Sequence, residues 1–549
     1  MKSLRSFPTG RAWRWSDDTL TWVERGAALL LTLTILILLV VRAQHAGALW
    51  RDECASVQLA QMPTYSDLFG NFQRESFPAL FPLIIRFYAH IFGSSDAAFR
   101  TFGLAVGLGM VVALWINSRL AASPPLLGLA LLGLNTTFLV WGTGIRGYGI
   151  GSVAVVLMFG LIAGTLLAPS RLNGAALLVV ALAGVHLLFY NTILLAALVL
   201  AALVVCLVRR RFRTGFVLAA VSAICVLSML AYIGPFRNES RSTVVLQGPF
   251  SIEWFFTQLD IALGAPTHWM AGVWGMLLIV LVLAAARRLR TIWSVKPEAE
   301  WDLLLFAVIV PILSIPGYFI FLKIVSYRSR EWYYLALVSI LAAVIDLLAA
   351  HLCQSSRARI ARLSIAVGAL MTLPVVDWAY VTQRQTNVDR LAQELEARAQ
   401  PNDLIVVNPW MIGVTFNRYY HGRARWETAP IMADHRIHRF DLLKEKMMSP
   451  VALDDLLEGI SATLRSNNRV WIVGQVYLPE ARAQIMPLAP APQSKYGWDC
   501  DAYASYWSAQ LGQYIVAHAS TGGFVPVPLD TEVNELENKD LFVMQGWRN

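Results

Sequence analysis

The sequence predicts a polytopic α-helical membrane protein that carries an α/β domain at its C-terminal end. Three observations predict it. First, 56% of the 549 residues are hydrophobic and only 15% are charged, where soluble globular domains are roughly 25% charged and 45–50% apolar; mean hydropathy is +0.53. Second, the apolar residues gather into runs near 26–48, 98–117, 124–141, 147–168, 171–190, 192–208, 213–234, 269–286, 302–322, 332–352 and 359–380, many of them close to the ~20 residues that a helix needs to cross hydrocarbon. Third, this pattern stops near residue 381, beyond which short helical and extended segments alternate with polar turns.

The basic N-terminal segment 1–25 (Arg5, Arg11, Arg14) precedes the apolar stretch Gly26 to Leu49. That stretch exceeds the ~7–15 apolar residues of a signal peptide, so it reads as a retained first helix. Pro78 to Phe92 is shorter and contains Arg86 and His90. Counted as a span, it would put the clusters at 209–213, 287–290 and 357–362 on the opposite side from the N-terminus. Read as a partly immersed helix, it leaves about eleven spans, with Arg119, Arg171 and those clusters all cytoplasmic. The membrane domain is then 26–381, with outer loops 50–97 and 235–268, and the domain 382–549 lies outside, periplasmic in a bacterial inner membrane. In that domain, helices are expected at Val388–Ala399 and Asp454–Ser466. Strands are expected at Asp403–Asn408, Arg469–Gly474 and Leu541–Met544, and ~165 residues suffice for an independent core.

The net charge of +9 resides in short clusters between apolar runs, which is an orientation signal and not a nucleic-acid footprint. Of five cysteines, Cys206, Cys225 and Cys353 fall in or beside apolar runs and read as small core residues. Cys54 and Cys500 share the outer side, where a disulfide or two free thiols are the alternatives.

The chemistry concentrates after the first helix, in Trp50-Arg51-Asp52-Glu53. A carboxylate at the bilayer margin loses hydration and needs a partner or a purpose. Asp52 and Glu53 could cap a helix. One could also be a general base that takes the proton of an acceptor hydroxyl, with Arg51 holding one of the pair ionised. Arg74-Glu75-Ser76-Phe77-Pro78-Ala79-Leu80-Phe81-Pro82 brings a second acid, Glu75, to the start of the immersed helix. Adjacent side chains diverge, so Asp52 and Glu53 are not expected to chelate one cation, and neither a metal nor another cofactor is expected. Gly142 to Gly147 matches GxGxxG, but its apolar flanks are not those of a βαβ unit, and it reads as a tight turn.

The acidic pair after the first span, the acid-x-x-Pro-x-Leu-Phe helix and the segment Phe92 to Arg100 together resemble GT-C glycosyltransferases, in particular the protein O-mannosyltransferase and lipid A aminoarabinose transferase group. The resemblance covers about 26–380 and is clearest over 50–150. It departs from the family where Pro78-Ala79 replaces Pro-Pro and where the acid of that motif is Glu75. It implies a polyprenyl-phosphate sugar donor, transfer at the extracytoplasmic face and Asp52 as the catalytic acid residue of the first outer loop. It further implies that Arg146 and Tyr148 form an Arg-x-Tyr site, and that Tyr327-Arg328-Ser329-Arg330-Glu331-Trp332-Tyr333-Tyr334 approaches the lipid phosphate. Arg51 and Arg74 join Arg146, Tyr148, Arg328 and Arg330 as candidate phosphate ligands, since a guanidinium fork suits phosphate oxygens. The bland alternative for each arginine is snorkelling to headgroups. Arg237 and Arg241, in an aromatic-rich interfacial loop, are further candidates, while His186, Tyr190 and Asn191 read as a hydrogen-bonded helix end.

The expected partners are the lipid bilayer, the lipid-linked sugar and an acceptor that is a glycolipid, a polysaccharide or a protein. Nucleic acid is not among them. Two rival readings are a transporter or flippase for a lipid-linked sugar and a non-catalytic subunit of an envelope-polysaccharide complex. The first calls for paired repeats and mid-membrane charges.

Overall fold

The structure is a computed structural model that describes residues 17–75, 77–240, 250–264, 267–292, 298–326, 329–477, 488–491 and 499–549. Ser76, Arg241, Tyr327 and Arg328, singled out above, lie outside the described residues. The helices of the membrane domain are α1 (Asp17–His45), α2 (Arg51–Ala60), α3 (Tyr65–Asn71), α4 (Leu80–Phe92), α5 (Asp96–Ser118), α6 (Leu126–Gly128), α7 (Gly147–Leu167), α8 (Arg171–Leu187), α9 (Tyr190–Val208), α10 (Phe212–Ser228), α11 (Ile233–Glu239), α12 (Ile252–Gly264), α13 (Trp269–Ile292), α14 (Glu298–Val325), α15 (Leu335–Leu352) and α16 (Ser356–Val381). Among the described residues, nine helical stretches are long and apolar enough to cross a membrane. The protein is polytopic, as its composition demands.

Two apolar runs do not form full-length spanning helices. Run 171–190 yields α8, which ends at Leu187. Run 124–141 is broken: α6 passes into wide π-helical turns at Leu129–Gly133 and Thr137–Gly142. The cause is the polar triplet Asn135-Thr136-Thr137 inside an apolar run. Asn135 accepts the Phe138 N–H through Oδ1 and donates through Nδ2 to the carbonyls of Ala262 and Leu263, at 3.0 and 3.1 Å. Its side chain thus replaces helix hydrogen bonds with contacts to α12. At the other end, Asp346 accepts the N–H groups of Leu127 and Gly128. Pro78 precedes α4, and Pro82 occupies its first turn instead.

Ion pairs identify the two ends of the bundle. Arg209 and Arg211 both reach Asp302 at 2.7 Å, and Arg359 and Arg362 clasp Glu24 at 2.7 and 2.6 Å. The basic clusters therefore gather at one end. At the opposite end Arg42 donates to the Gln383 carbonyl at 2.5 Å, which joins the end of α1 to the segment after α16.

The C-terminal domain contains α17 (Val388–Arg398), β1 (Leu404–Asn408), α18 (Gly413–Tyr419), β2 (Arg425–Thr428), α19 (Phe440–Met448), α20 (Asp454–Arg465), β3 (Arg469–Gly474), α21 (Cys500–His518), β4 (Ala519–Phe524) and β5 (Leu541–Trp547). The sheet order is β2-β1-β3-β5-β4. β1 runs parallel to β2 and β3, while β5 is antiparallel to β3 and β4. β1, β3 and β5 lie where the apolar runs place them. β2 and β4 carry exposed residues and no apolar run, because edge strands bury little. Separate apolar clusters cover the two sheet faces, around Leu456 and Trp507 on one and around Leu391 and Phe416 on the other. Cys54 and Cys500 are both free thiols and buried; the Cys54 thiol donates to the Leu49 carbonyl.

The domain docks on the membrane helices through α18 and α2. Gln58 donates to the Val414 carbonyl and accepts from Asn417. Arg418 pairs with Asp96 at 2.9 Å, and the Tyr419 hydroxyl donates to Asp96 while accepting the Leu49 N–H.

Candidate active site

The two adjacent acids of α2 face different surroundings. Glu53 is 0% exposed. Its Oε2 accepts the Trp50 N–H at 3.3 Å as a helix cap, and its Oε1 takes Arg100 Nη1 at 2.8 Å and the Ile145 N–H at 2.9 Å. Arg100 also donates to the carbonyls of Gly47 and Ala48. Glu53 thus ties three chain segments together and is sealed from any substrate. Removing one partner of a buried ion pair leaves a bare charge and costs about 3–5 kcal/mol. We expect Arg100→Met to lower the apparent unfolding temperature of the purified protein sharply; an unchanged midpoint would show the pair to be dispensable.

Asp52 turns the other way, with its side chain 21% exposed. Arg51 Nε lies 3.5 Å from Oδ1, Arg146 Nη2 is 3.8 Å from Oδ2, and His438 Nε2 is 3.7 Å from Oδ1. Burial pushes the Asp52 carboxyl up, but the guanidinium of Arg146, with that of Arg51 beside it, acts against burial, and its pKa falls below the usual carboxylate value. Asp52 is held ionised.

Arg146 is the hub. It lies at the N-terminal end of α7, where the Gly142–Gly147 turn delivers it. Gly147 packs so closely that a β-carbon would lie 2.6 Å from the Phe77 ring and 2.7 Å from the Leu187 carbonyl. This is the tight-turn use of the glycines. Arg146 Nη1 reaches the Asp52 carbonyl and Ser56 Oγ at 3.0 Å each and Glu75 Oε2 at 2.9 Å. Its guanidinium lies over the Phe77 ring. Burial opposes its charge, yet Asp52 and Glu75 prevail and raise its pKa. Among the described residues its buried Nε finds no hydrogen-bond partner.

Glu75 is 3% exposed. Besides Arg146 it accepts both the backbone N–H and Nδ1 of His438, at 3.1 Å each. His438, from the C-terminal domain, therefore stands between Glu75 and Asp52. Sequence reasoning missed it, because no local motif marks the segment around it and hundreds of residues separate it from the acids. Tyr148 is buried, with its ring 5.4 Å from that of Tyr333, which in turn stands 5.7 Å from Tyr190. The Arg/Tyr-rich segment thus meets the site through Tyr333, while Arg330 is exposed. Trp50, Trp141 and Trp332 pack together beneath, with centroids 4.5–5.9 Å apart.

Other candidate ligands are drawn elsewhere. Arg74 pairs with Asp441 at 2.7 Å and lies 4.0 Å from Glu239. Arg51 is the exception: its backbone N–H donates to Glu537 at 2.8 Å, while its guanidinium stays at the site beside Asp52. Arg237 is exposed on α11. His186 is bonded to Tyr232 and Ser228, and Asn191 bridges the Gly151 and Gly184 carbonyls, so both secure helix ends. For a cation, Asp52, Glu75 and His438 offer donor atoms, but a metal would have to displace guanidinium from both carboxylates. Among the described residues, a compact set of possible ligands occurs at Asp499, Cys500 and Asp501, in the C-terminal domain.

No family profile and no curated protein matches the chain. Among solved structures it is similar to ArnT from Cupriavidus metallidurans bound to undecaprenyl phosphate, with 11% identity, 94% of this chain and 98% of that one covered, and a TM-score of 0.48. It is likewise similar to ArnT from the same organism in the apo state, with 11% identity, the same coverage and a TM-score of 0.40.

Proposed function

We propose that this protein is a GT-C-type inverting glycosyltransferase. It moves a sugar from a polyprenyl-phosphate donor to an acceptor hydroxyl at the extracytoplasmic membrane face. One observation carries this reading: a partly exposed, ionised aspartate stands beside a buried arginine whose Nε–H finds no acceptor among the described residues. An ionised carboxylate accepts a proton, and a guanidinium with donor capacity to spare attracts a phosphate oxygen.

In this reaction the acceptor oxygen attacks the anomeric carbon and Asp52 takes its proton. The bond from that carbon to the phosphate oxygen breaks, and the electron pair leaves with the lipid phosphate, whose charge Arg146 offsets. Tyr148 and Tyr333 line the same wall. A single displacement inverts the anomeric centre. Glu53 fixes the geometry of α2, and the arginines Arg51 and Arg74 shape the surrounding field more than they hold the phosphate. The protein sits in the inner membrane with its basic clusters cytoplasmic and its C-terminal domain periplasmic, where the acceptor is a glycolipid, a polysaccharide or a protein hydroxyl.

The test is release of polyprenyl phosphate by the full-length protein in nanodiscs, offered a panel of polyprenyl-phosphate sugars with membrane extract as the source of acceptor. Release that depends on one sugar identifies the donor; none across the panel would overturn the reading.

One feature favours a second reading, transport of a lipid-linked sugar. The broken run at Asn135–Thr137 faces a buried acid, Asp377, through Thr136 at 3.4 Å, and intramembrane acids often line transport paths. Movement of labelled lipid-linked sugar across a vesicle membrane without chemical change would support it.

A further inference from the structure

The segment around His438 is built to hold one side chain in place. Ile437 is fully buried among Leu59, Met62, Leu68, Phe72 and Tyr232 of the membrane domain. On the other side, Arg439 grips Asp441 at 2.9 and 2.7 Å, and Asp441 is in turn held by Arg74. The imidazole lies stacked on Phe440 and edge-on to Trp410. An apolar anchor on one side and an ion-pair lattice on the other leave the ring little freedom.

The partners fix its tautomer. A carboxylate only accepts, so the Nδ1 atom 3.1 Å from Glu75 carries the hydrogen. In the neutral ring the other nitrogen, Nε2, then holds a lone pair. That lone pair faces Asp52 Oδ1 at 3.7 Å, longer than a hydrogen bond.

We infer that His438 is the proton acceptor behind Asp52, so that the C-terminal domain completes the reaction centre. This rests on the transferase reading above. The hydroxyl proton passes from the acceptor to Asp52 and on to His438 Nε2. The imidazolium is then held between Glu75 and Asp52, whose charge is restored, and its proton passes to bulk water as product leaves. No redox partner is needed. The charged groups around the ring are Asp52, Glu75, Arg146 and Arg51. His438 acts through Asp52 and is a positioning and relay residue.

In the nanodisc assay, His438→Gln lowers kcat about 10–100-fold, at the low end of proton-transfer contributions, and leaves KM for the donor within about twofold. His438→Ala regains rate with added imidazole, an effect that a purely structural role would not produce. A His438→Gln enzyme with wild-type kcat, beside an inactive Asp52→Asn, would overturn the relay alone. Wild-type turnover by Asp52→Asn would remove Asp52 as base, and the relay behind it, while the transferase reading stands; that reading falls only if no donor in the panel is turned over. Independently of turnover, carbon-13 spectra of histidine-labelled protein test the tautomer that the relay requires. The signal missing in His438→Gln should report the Nδ1–H tautomer and shift in Glu75→Gln; the opposite tautomer, or no response, refutes the assignment.

Discussion

Asp52→Asn should reduce turnover by about 10³-fold, within the range that a positioned general base contributes, while affinity for polyprenyl phosphate is kept or improved. The substitution preserves shape and removes only charge and basicity. Because the guanidinium groups of Arg146 and Arg51 hold the carboxylate below its ordinary pKa, Asp52 is already ionised at neutral and mildly acidic pH. The sign of the pH effect follows. A carboxylate depressed in the folded protein stabilises the fold above its unfolded pKa of roughly 3.9. That contribution is lost only as pH falls through the lower folded value. Between pH 5 and 8 no titration of Asp52 should therefore shape the rate, and an acid limb in that window belongs to another group. Improved affinity is expected because the amide no longer repels a phosphate near Arg146. A mutant within threefold of wild type would remove Asp52 as base and shift the search to Glu75, since Glu53 is sealed by Arg100 and two backbone N–H groups.

Arg146→Lys should be nearly as damaging, in stability as well as in turnover. A guanidinium reaches the Asp52 carbonyl, Ser56, Glu75 and the Asp52 carboxylate from one planar group. An ammonium cannot span those directions. Arg146→Ala goes further, for it leaves Glu75, 3% exposed, with His438 as its remaining partner. The expected cost is about 3–5 kcal/mol, read as a fall in the apparent unfolding temperature, together with loss of phosphate-dependent turnover. The double variant Arg146→Met with Glu75→Gln separates the two effects, because removing both charges relieves the buried-charge penalty. It should recover much of the midpoint and none of the activity. A lysine variant with wild-type midpoint and rate would show that Arg146 is neither the hub nor a phosphate ligand.

Much of this architecture was legible in the linear sequence. The helices follow from apolar runs of bilayer length, and their common polarity from basic clusters whose ion pairs, Arg209 and Arg211 with Asp302 and Arg359 with Glu24, lie at one end of the bundle. Strands β1 and β3 follow from apolar runs bounded by turns. The edge strands β2 and β4 do not, since a strand that buries few side chains leaves little hydrophobic signal. The break at Asn135 was masked by its apolar neighbours.

The candidate site divides along the same line. Asp52, Glu75 and Arg146 stand out locally, because a charge beside long apolar runs is costly to place. The sequence by itself determined the membrane class, the charge asymmetry and which charged residues to consider. Tertiary structure decided their roles. It turned Glu53 inward to Arg100 and Asp52 outward to Arg146, spent Arg74 on Asp441, and brought His438 from the C-terminal domain between the two acids. The physical reason is range. Apolar periodicity and span length are properties of neighbouring residues, whereas the partner of a buried charge is fixed by chain segments hundreds of residues apart, whose pairing no local pattern encodes.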